Sequence, residues 1–308
     1  MKLCTFEHHS KIYAGVVVRA KGGERRVLPV AEINARRGGD FPDDLLALIT
    51  AGRIEDLKNA SVEDLHGAAL PPAEIRLRLP YPAPPKIWCI GLNYLSHAED
   101  LQAAQPEEPG SFMKPSSALF EPGGEILLPP AEVSSEVDAE GELGVVIGKE
   151  CRDIPPELAP EVILGYTTTL DMTALDVLRR NTRYLTRAKS FDTFFSFGPI
   201  ITTADEIADV NAIEVITEHN GSVFSRDVVR HMRTRPYELV AFHSRVFTWQ
   251  PGDILSTGCP KGARIQPGDR VAARLEGIGF LEATVGRRKA EPFIANGGQT
   301  GRSTPFRR

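Results

Sequence analysis

Residues 137–148, VDAEGELGVVIG, restrict the fold more than any other part of the chain. The second half, Leu143 to Ile147, is a continuous apolar run of the kind that forms a strand buried on both faces. The first half carries Asp138, Glu140 and Glu142. Side chains two apart on a strand point the same way, so Glu140 and Glu142 project together where the chain turns inward. Like charges on one face repel, and burial adds a desolvation cost to each. Two protons, two basic partners or one divalent cation would offset this. A solvated strand end is the plain alternative.

A third carboxylate, Asp171, lies in GYTTTLDMTALDV. The pattern predicts a strand over 162–170, with Asp171 at its end and a helix over roughly 172–184. Helix capping would account for Asp171 by itself. Joined to Glu140 and Glu142, it would complete a hard oxygen site suited to Mg²⁺, Mn²⁺ or Ca²⁺ rather than zinc.

Three further segments carry chemistry. In GLNYLSHAEDL, Ser96 and Glu99 match a capping box and predict a helix over about 96–104. His97 and Asp100 would then share a face, and a carboxylate beside an imidazole prepares a general base; an incidental histidine at a polar helix start is the alternative. In RAKSFDTFFSFGP, Lys189 enters an aromatic run with Asp192 and Thr193 close by, and is either snorkelling or a buried cation. In PGDILSTGCPKG, a glycine-dense turn after a strand offers backbone N–H groups and the Thr257 hydroxyl as an anion cradle. Neither a Walker A loop nor a G-x-S-x-G elbow occurs.

With 308 residues, 42% hydrophobic and 25% charged, the chain can build a large core. A net charge of -5 gives no basic face for nucleic acid. No segment approaches a membrane span. The cysteines at 4, 89, 151 and 259 form no C-x-x-C pair and suit a reducing cytoplasm. Residues 1–75 read as a small α/β unit, with two strands around a turn at His9 and a helix opened by Asp43 or Asp44 and stopped by Gly52. Prolines from Pro80 to Pro85 mark a linker. Residues 76–285 are dominated by short strands, and 286–308, with six basic residues and one acid, read as a flexible tail. The fold class is mainly β (α+β).

GLNYLSHAE, EGELGVVIGK, GYTTTLDMTALD, AKSFDTF, the Asn220-Gly221 turn, PGDILSTG and GDRVAARLEGIGFL, in that order, resemble the fumarylacetoacetate hydrolase family from about residue 86 to 285. The resemblance implies a mixed β-sandwich roll with a small N-terminal domain, usually a homodimer, around Mg²⁺ or Mn²⁺, with Ca²⁺ as a third option. It implies that Glu140, Glu142 and Asp171 hold the metal. His97 and Asp100 resemble the family's water-activating dyad on a lid, and Lys189 its oxyanion-holding lysine. Asn93, Tyr94, Thr193, Thr257, Gly258 and Cys259 complete the substrate-binding set. The implied reaction is hydrolysis of a carbon–carbon bond in a 1,3-dicarbonyl or 2,4-dioxo acid, a small-molecule substrate. Oxaloacetate decarboxylation and 2-oxo-acid isomerisation or hydration use related chemistry, and a non-catalytic metal-dependent binding protein is the rival from another class.

The chain departs from the family pattern at the substrate side. Asp100 stands where Glu is usual, Leu175 and Leu178 where Arg and Gln are common, Ser225 where Gln often follows the turn, and Cys259 where the family has a second Thr. Arg179, Arg180 and Arg183 are candidates for the missing positive charge.

Overall fold

The computed structural model describes residues 1–289 except 21, 61, 62, 101 and 103. Two sheets form the body. In the larger, the strand path runs Arg25–Pro29, Lys11–Arg19, Lys2–His8, Ile200–Thr203, Ile163–Ala174, Val137–Ile147, Ile254–Ser256, Ile87–Gly91, Gly110–Met113. The smaller runs Ser222–Val228, Glu214–His219, Arg270–Leu275, Gly279–Arg287, Glu125–Leu128. The mixed, strand-dominated fold expected from the sequence is the fold observed.

Local rules account for most of these elements. Lys2–His8 and Lys11–Arg19 form a hairpin whose turn residues, His9 (φ 48°) and Ser10 (φ 61°), are both left-handed, the geometry that matches strand twist. The Asp44 side chain accepts from Ala47 N (2.7 Å) and opens the helix Leu45–Thr50. Asn220 and Gly221 turn the second hairpin with positive φ at both positions. The N-terminal strands do not close a sheet of their own. Lys2–His8 pairs antiparallel with Ile200–Thr203, so one sheet continues across the proline segment. Leu3, Leu28 and Ile33 accordingly share a core cluster with Cys89, Phe195, Phe197 and Ile254.

The two longest strands, Val137–Ile147 and Ile163–Ala174, lie side by side in the middle of the larger sheet, and nearly every residue in them is buried. The smaller sheet packs over them. Gly141 is the close-approach point: a Cβ there would sit 2.7 Å from Thr217 Oγ1 and 3.0 Å from Ala273 Cβ. Its N–H donates to that Thr217 hydroxyl. Since neighbours on a strand face opposite ways, Glu140 and Glu142 leave on the other face.

Four boundaries differ from expectation. The strand expected to end at residue 170 continues to Ala174, so Asp171 is inside a strand and caps no helix; strand pairing on both sides outweighs the local helical pattern of the following residues. Two short helices, Leu175–Arg180 and Leu185–Lys189, follow in place of one. The helix expected from Ser96 spans Leu95–Asp100, which puts Ser96 inside it. The Ser96 hydroxyl donates to Pro260 O (3.1 Å) rather than capping. At the C-terminal end, Gly286 and Arg287 pair with Leu127 and Leu128 in a sheet, and from residue 290 the expected tail lies outside the described residues. Among the described residues no helix is long and apolar enough to cross a membrane.

Candidate metal centre

Register brings the three predicted carboxylates together. Glu140 is the direct cross-strand partner of Asp171, and Glu142 is paired with Thr169. Cross-strand partners share a face, so all three acids meet. One oxygen from each of Glu140, Glu142 and Asp171 lies within 4.8 Å of the others, and all three residues are buried.

Two lysines answer them. Lys189, at the end of its short helix, donates to Glu140 Oε2 (2.8 Å) and lies 3.2 Å from Asp171 Oδ2. Its ammonium sits 4.9 Å over the Phe112 ring. Lys114 pairs with Asp171, and donates to Phe194 O (2.6 Å) and Met172 O (3.1 Å). Lys114 drew no attention in the sequence, where MKPSS reads as an ordinary loop; its one signal is a lysine next to FM and ahead of ALF.

Neutral donors arrange the oxygens further. Thr173 donates to Glu140 Oε1. Ser256 (2.6 Å) and the Gly258 N–H (2.9 Å) both donate to Glu142 Oε2. Gly258 has φ +94°, and a Cβ there would meet Asn93 Cβ at 2.9 Å, so only glycine presents its N–H this way without strain. Thr173 and Ser256 were also missed, because their roles depend on pairings between distant strands.

Charge burial sets the protonation pattern. Burial pushes Glu142 up to about 8, helped by Asp171 and Glu140. Asp171 is likewise raised by burial, against the pull of Lys114 and Lys189. Burial also acts upward on Glu140, but Lys189 and His97 outweigh it and hold that carboxyl below its usual range. Lys189 is raised: the attraction of Asp171 and Glu140 outweighs its burial. Lys114 is lowered by burial.

The residues fit a hard divalent ion. Glu142 Oε1 is buried and accepts no hydrogen bond, and the two Asp171 oxygens are met by the Lys114 and Lys189 ammonium groups. With all three ionised, as a bound ion would require, three carboxylates against two ammonium groups leave one negative charge, and oxygen donors are what Mg²⁺, Mn²⁺ and Ca²⁺ prefer.

The other expected site residues divide. His97 is buried, with Nδ1 unpartnered, and burial lowers its pKa against the opposing pull of Glu140. Cys259 is buried beside it: an imidazole nitrogen, the Cys259 thiol and a Glu140 oxygen lie within 4.8 Å of one another. Asp100 is not hydrogen-bonded to His97; its carboxylate is 2.7 Å from Lys261 Nζ. The helix carries the two side chains to different surroundings, one buried and one exposed.

Thr257 donates to Leu143 O (2.8 Å) and is fully buried. Asn93 spends its amide on Thr234 O, Thr257 O and Thr234 N, so in this state it braces the turn. Tyr94 is buried with its hydroxyl unpartnered. Thr193 (φ +62°) accepts from Leu127 N (2.7 Å), a strained position for a β-branched residue. Leu175 is buried, and Leu178 packs against the core cluster that includes Val177, Ala188 and Phe194. Arg179 and Arg180 pair with Glu136 and Asp176 near the surface, and Arg183 is exposed.

Known proteins share both sequence and shape with this chain. A human mitochondrial oxaloacetate tautomerase is 34% identical over 221 residues, 69% of this chain and 70% of that protein. A maleylpyruvate hydrolase from Sphingobium, solved with manganese(II) and pyruvate, is 31% identical with a TM-score of 0.75, covering 94% of this chain and all of the other. A 5-carboxymethyl-2-hydroxymuconate delta-isomerase from Mycobacterium smegmatis is 30% identical with a TM-score of 0.73 over the same 94%. The model of the fumarylacetoacetate (FAA) hydrolase C-terminal domain matches residues 86–286, the segment that holds the carboxylates, both lysines and His97. The chain belongs to the fumarylacetoacetate hydrolase family.

Proposed function

We propose that this chain is a divalent-metal-dependent hydrolase that cleaves a carbon–carbon bond in a 1,3-dicarbonyl or 2,4-dioxo acid. The observation that carries the reading is the convergence of Glu140, Glu142 and Asp171 in the interior, with Glu142 Oε1 left without a hydrogen-bond partner. An ion held there would supply Lewis-acid polarisation of a substrate carbonyl. Lys189 and Lys114 hold Asp171 and Glu140 in place, and Lys189 adds positive charge where an enolate oxygen would develop. His97, neutral because burial lowers its pKa, accepts a proton from water. The relatives named above include a hydrolase with manganese, which supports the metal and the substrate class.

One observation favours a second reading, keto–enol isomerisation of a 2-oxo acid. Asp100 is engaged by Lys261 and makes no hydrogen bond to His97, whose Nδ1 is unpartnered. Isomerisation needs a base toward the substrate carbon but no activated water. The tautomerase and isomerase among the relatives are consistent with it.

The test is the manganese-loaded protein against acylpyruvates, fumarylpyruvate-like acids and oxaloacetate, followed by product identification. Two carboxylic-acid fragments per dicarbonyl consumed would establish hydrolysis. Loss of the enol absorbance with one product of unchanged mass would establish isomerisation and overturn the hydrolase.

A further inference from the structure

We propose that His97, Cys259 and Glu140 form a second ion site, selective for a thiophilic divalent ion such as Zn²⁺ and sharing Glu140 with the carboxylate trio. An imidazole nitrogen, a thiol sulfur and a carboxylate oxygen lie within 4.8 Å of one another. All three side chains are buried, Cys259 is a free thiol, and His97, with 8% exposure, has Nδ1 without a hydrogen-bond partner. One nitrogen, one sulfur and one oxygen ligand with a position left open is a zinc-type donor set and a poor one for magnesium. The carboxylate trio beside it contains oxygen donors alone, so the two clusters sort ions by softness.

Cys259 is the discriminating member. It replaces a threonine of the resembled family turn, and a hydroxyl would leave the pocket without a soft ligand. The turn delivers the sulfur through the same backbone that aims Gly258 N–H at Glu142. Glu140 already accepts from Thr173 and Lys189; each carboxylate oxygen carries two lone pairs, so an ion takes a remaining one. On binding, the thiol gives its proton to solvent and the thiolate becomes the ligand.

The consequence for activity rests on the proposed function. A soft ion at this place occupies the imidazole and one carboxylate that the reaction uses, so micromolar zinc would inhibit the magnesium- or manganese-loaded protein by removing His97 as base. The site itself stands independently of that reaction.

The experiment uses the full chain loaded with Mn²⁺ and titrated with Cd²⁺, whose thiolate complex has an ultraviolet charge-transfer band. The expected result is a band that saturates at about one Cd²⁺ per chain, is displaced by Zn²⁺, and is absent in both Cys259→Ser and Cys259→Thr. Zinc inhibition should weaken at least about tenfold in Cys259→Thr. A band that persists in both variants, or no band in the parent chain, overturns the site. Glu142→Gln separates the two readings: it should lose Mn²⁺ binding yet keep the Cd²⁺ band. Retained Mn²⁺ binding in that variant would count against the carboxylate trio alone, and loss of the band at intact fold would overturn the second site.

Discussion

Lys261 Nζ holds the Asp100 carboxylate at 2.7 Å, while His97 Nδ1, three residues earlier on the same helix, has no partner. The acid that would orient the base is tied to a different cation. Both charges act on His97: Asp100 raises its pKa and Lys261 lowers it. Asp100→Asn should therefore lower the His97 pKa and Lys261→Met should raise it, read by imidazole NMR titration. If water activation needs this acid, Asp100→Asn slows dicarbonyl hydrolysis by ~10²-fold while keto–enol exchange of a 2-oxo acid persists. Equal loss of both activities would argue against separate roles.

The pH profile has a stated sign. His97 is lowered from 6.5 by burial, so its neutral, basic form survives below that value. A cation at the trio shifts it the same way. The acid limb of kcat/KM should lie below pH 6.5, and His97→Ala should abolish that limb with a fall of ~10²–10⁴-fold in hydrolysis. An acid limb above pH 7 would assign the base elsewhere.

Metal-free protein should lose stability as pH rises. Glu142 titrates near 4.5 when unfolded and is raised to about 8 when folded. Between those values the unfolded chain has released a proton the folded chain keeps, so stability falls through this window and levels off beyond it. Thermal melts of chelator-treated protein should show the decline, and Glu142→Gln should flatten it. The same variant should weaken Mn²⁺ by more than ~100-fold in calorimetry.

Lys114→Met leaves Asp171 buried with one fewer counter-charge. Breaking a buried pair on one side costs about 3–5 kcal/mol, measured by urea unfolding of metal-free protein. Saturating Mn²⁺ should return part of it, because an ion that binds only the folded chain stabilises by mass action. A metal-independent loss would place Lys114 in packing alone.

Gly258→Ala should cost about 1–3 kcal/mol, since the backbone sits at φ +94° and the new methyl would meet Asn93. It should also lower Mn²⁺ affinity, because the N–H to Glu142 moves with it. Unchanged affinity in a folded variant would show that this hydrogen bond does not fix Glu142.

The strands were readable from residue type and spacing, whereas the trio was assigned as one set only by the family resemblance. Apolar runs reveal Val137–Ile147 and its neighbours, since burial on both faces demands them. What residue type could not supply was register. Asp171 looks like a helix cap until it is known to pair with Glu140 and Phe195 across two strands. Thr173 and Ser256 gain their partners by the same long-range pairing. Lys114 stayed hidden because a lysine beside a proline reads as surface, whereas its ammonium is enclosed by two carbonyls and an acid. Asp100 was misjudged in the other direction: spacing put it beside His97, and Lys261, more than a hundred and fifty residues on, drew it away.

Gly141 faces the smaller sheet, on the side of the strand opposite Glu140 and Glu142, and holds that strand close against it. With 2.7 Å to Thr217 Oγ1 and 3.0 Å to Ala273 Cβ for any added methyl, a side chain there would wedge the sheets apart and tilt the strand. Glu140 and Glu142 would swing with it, so the gauge of the ion cradle is set from its rear wall.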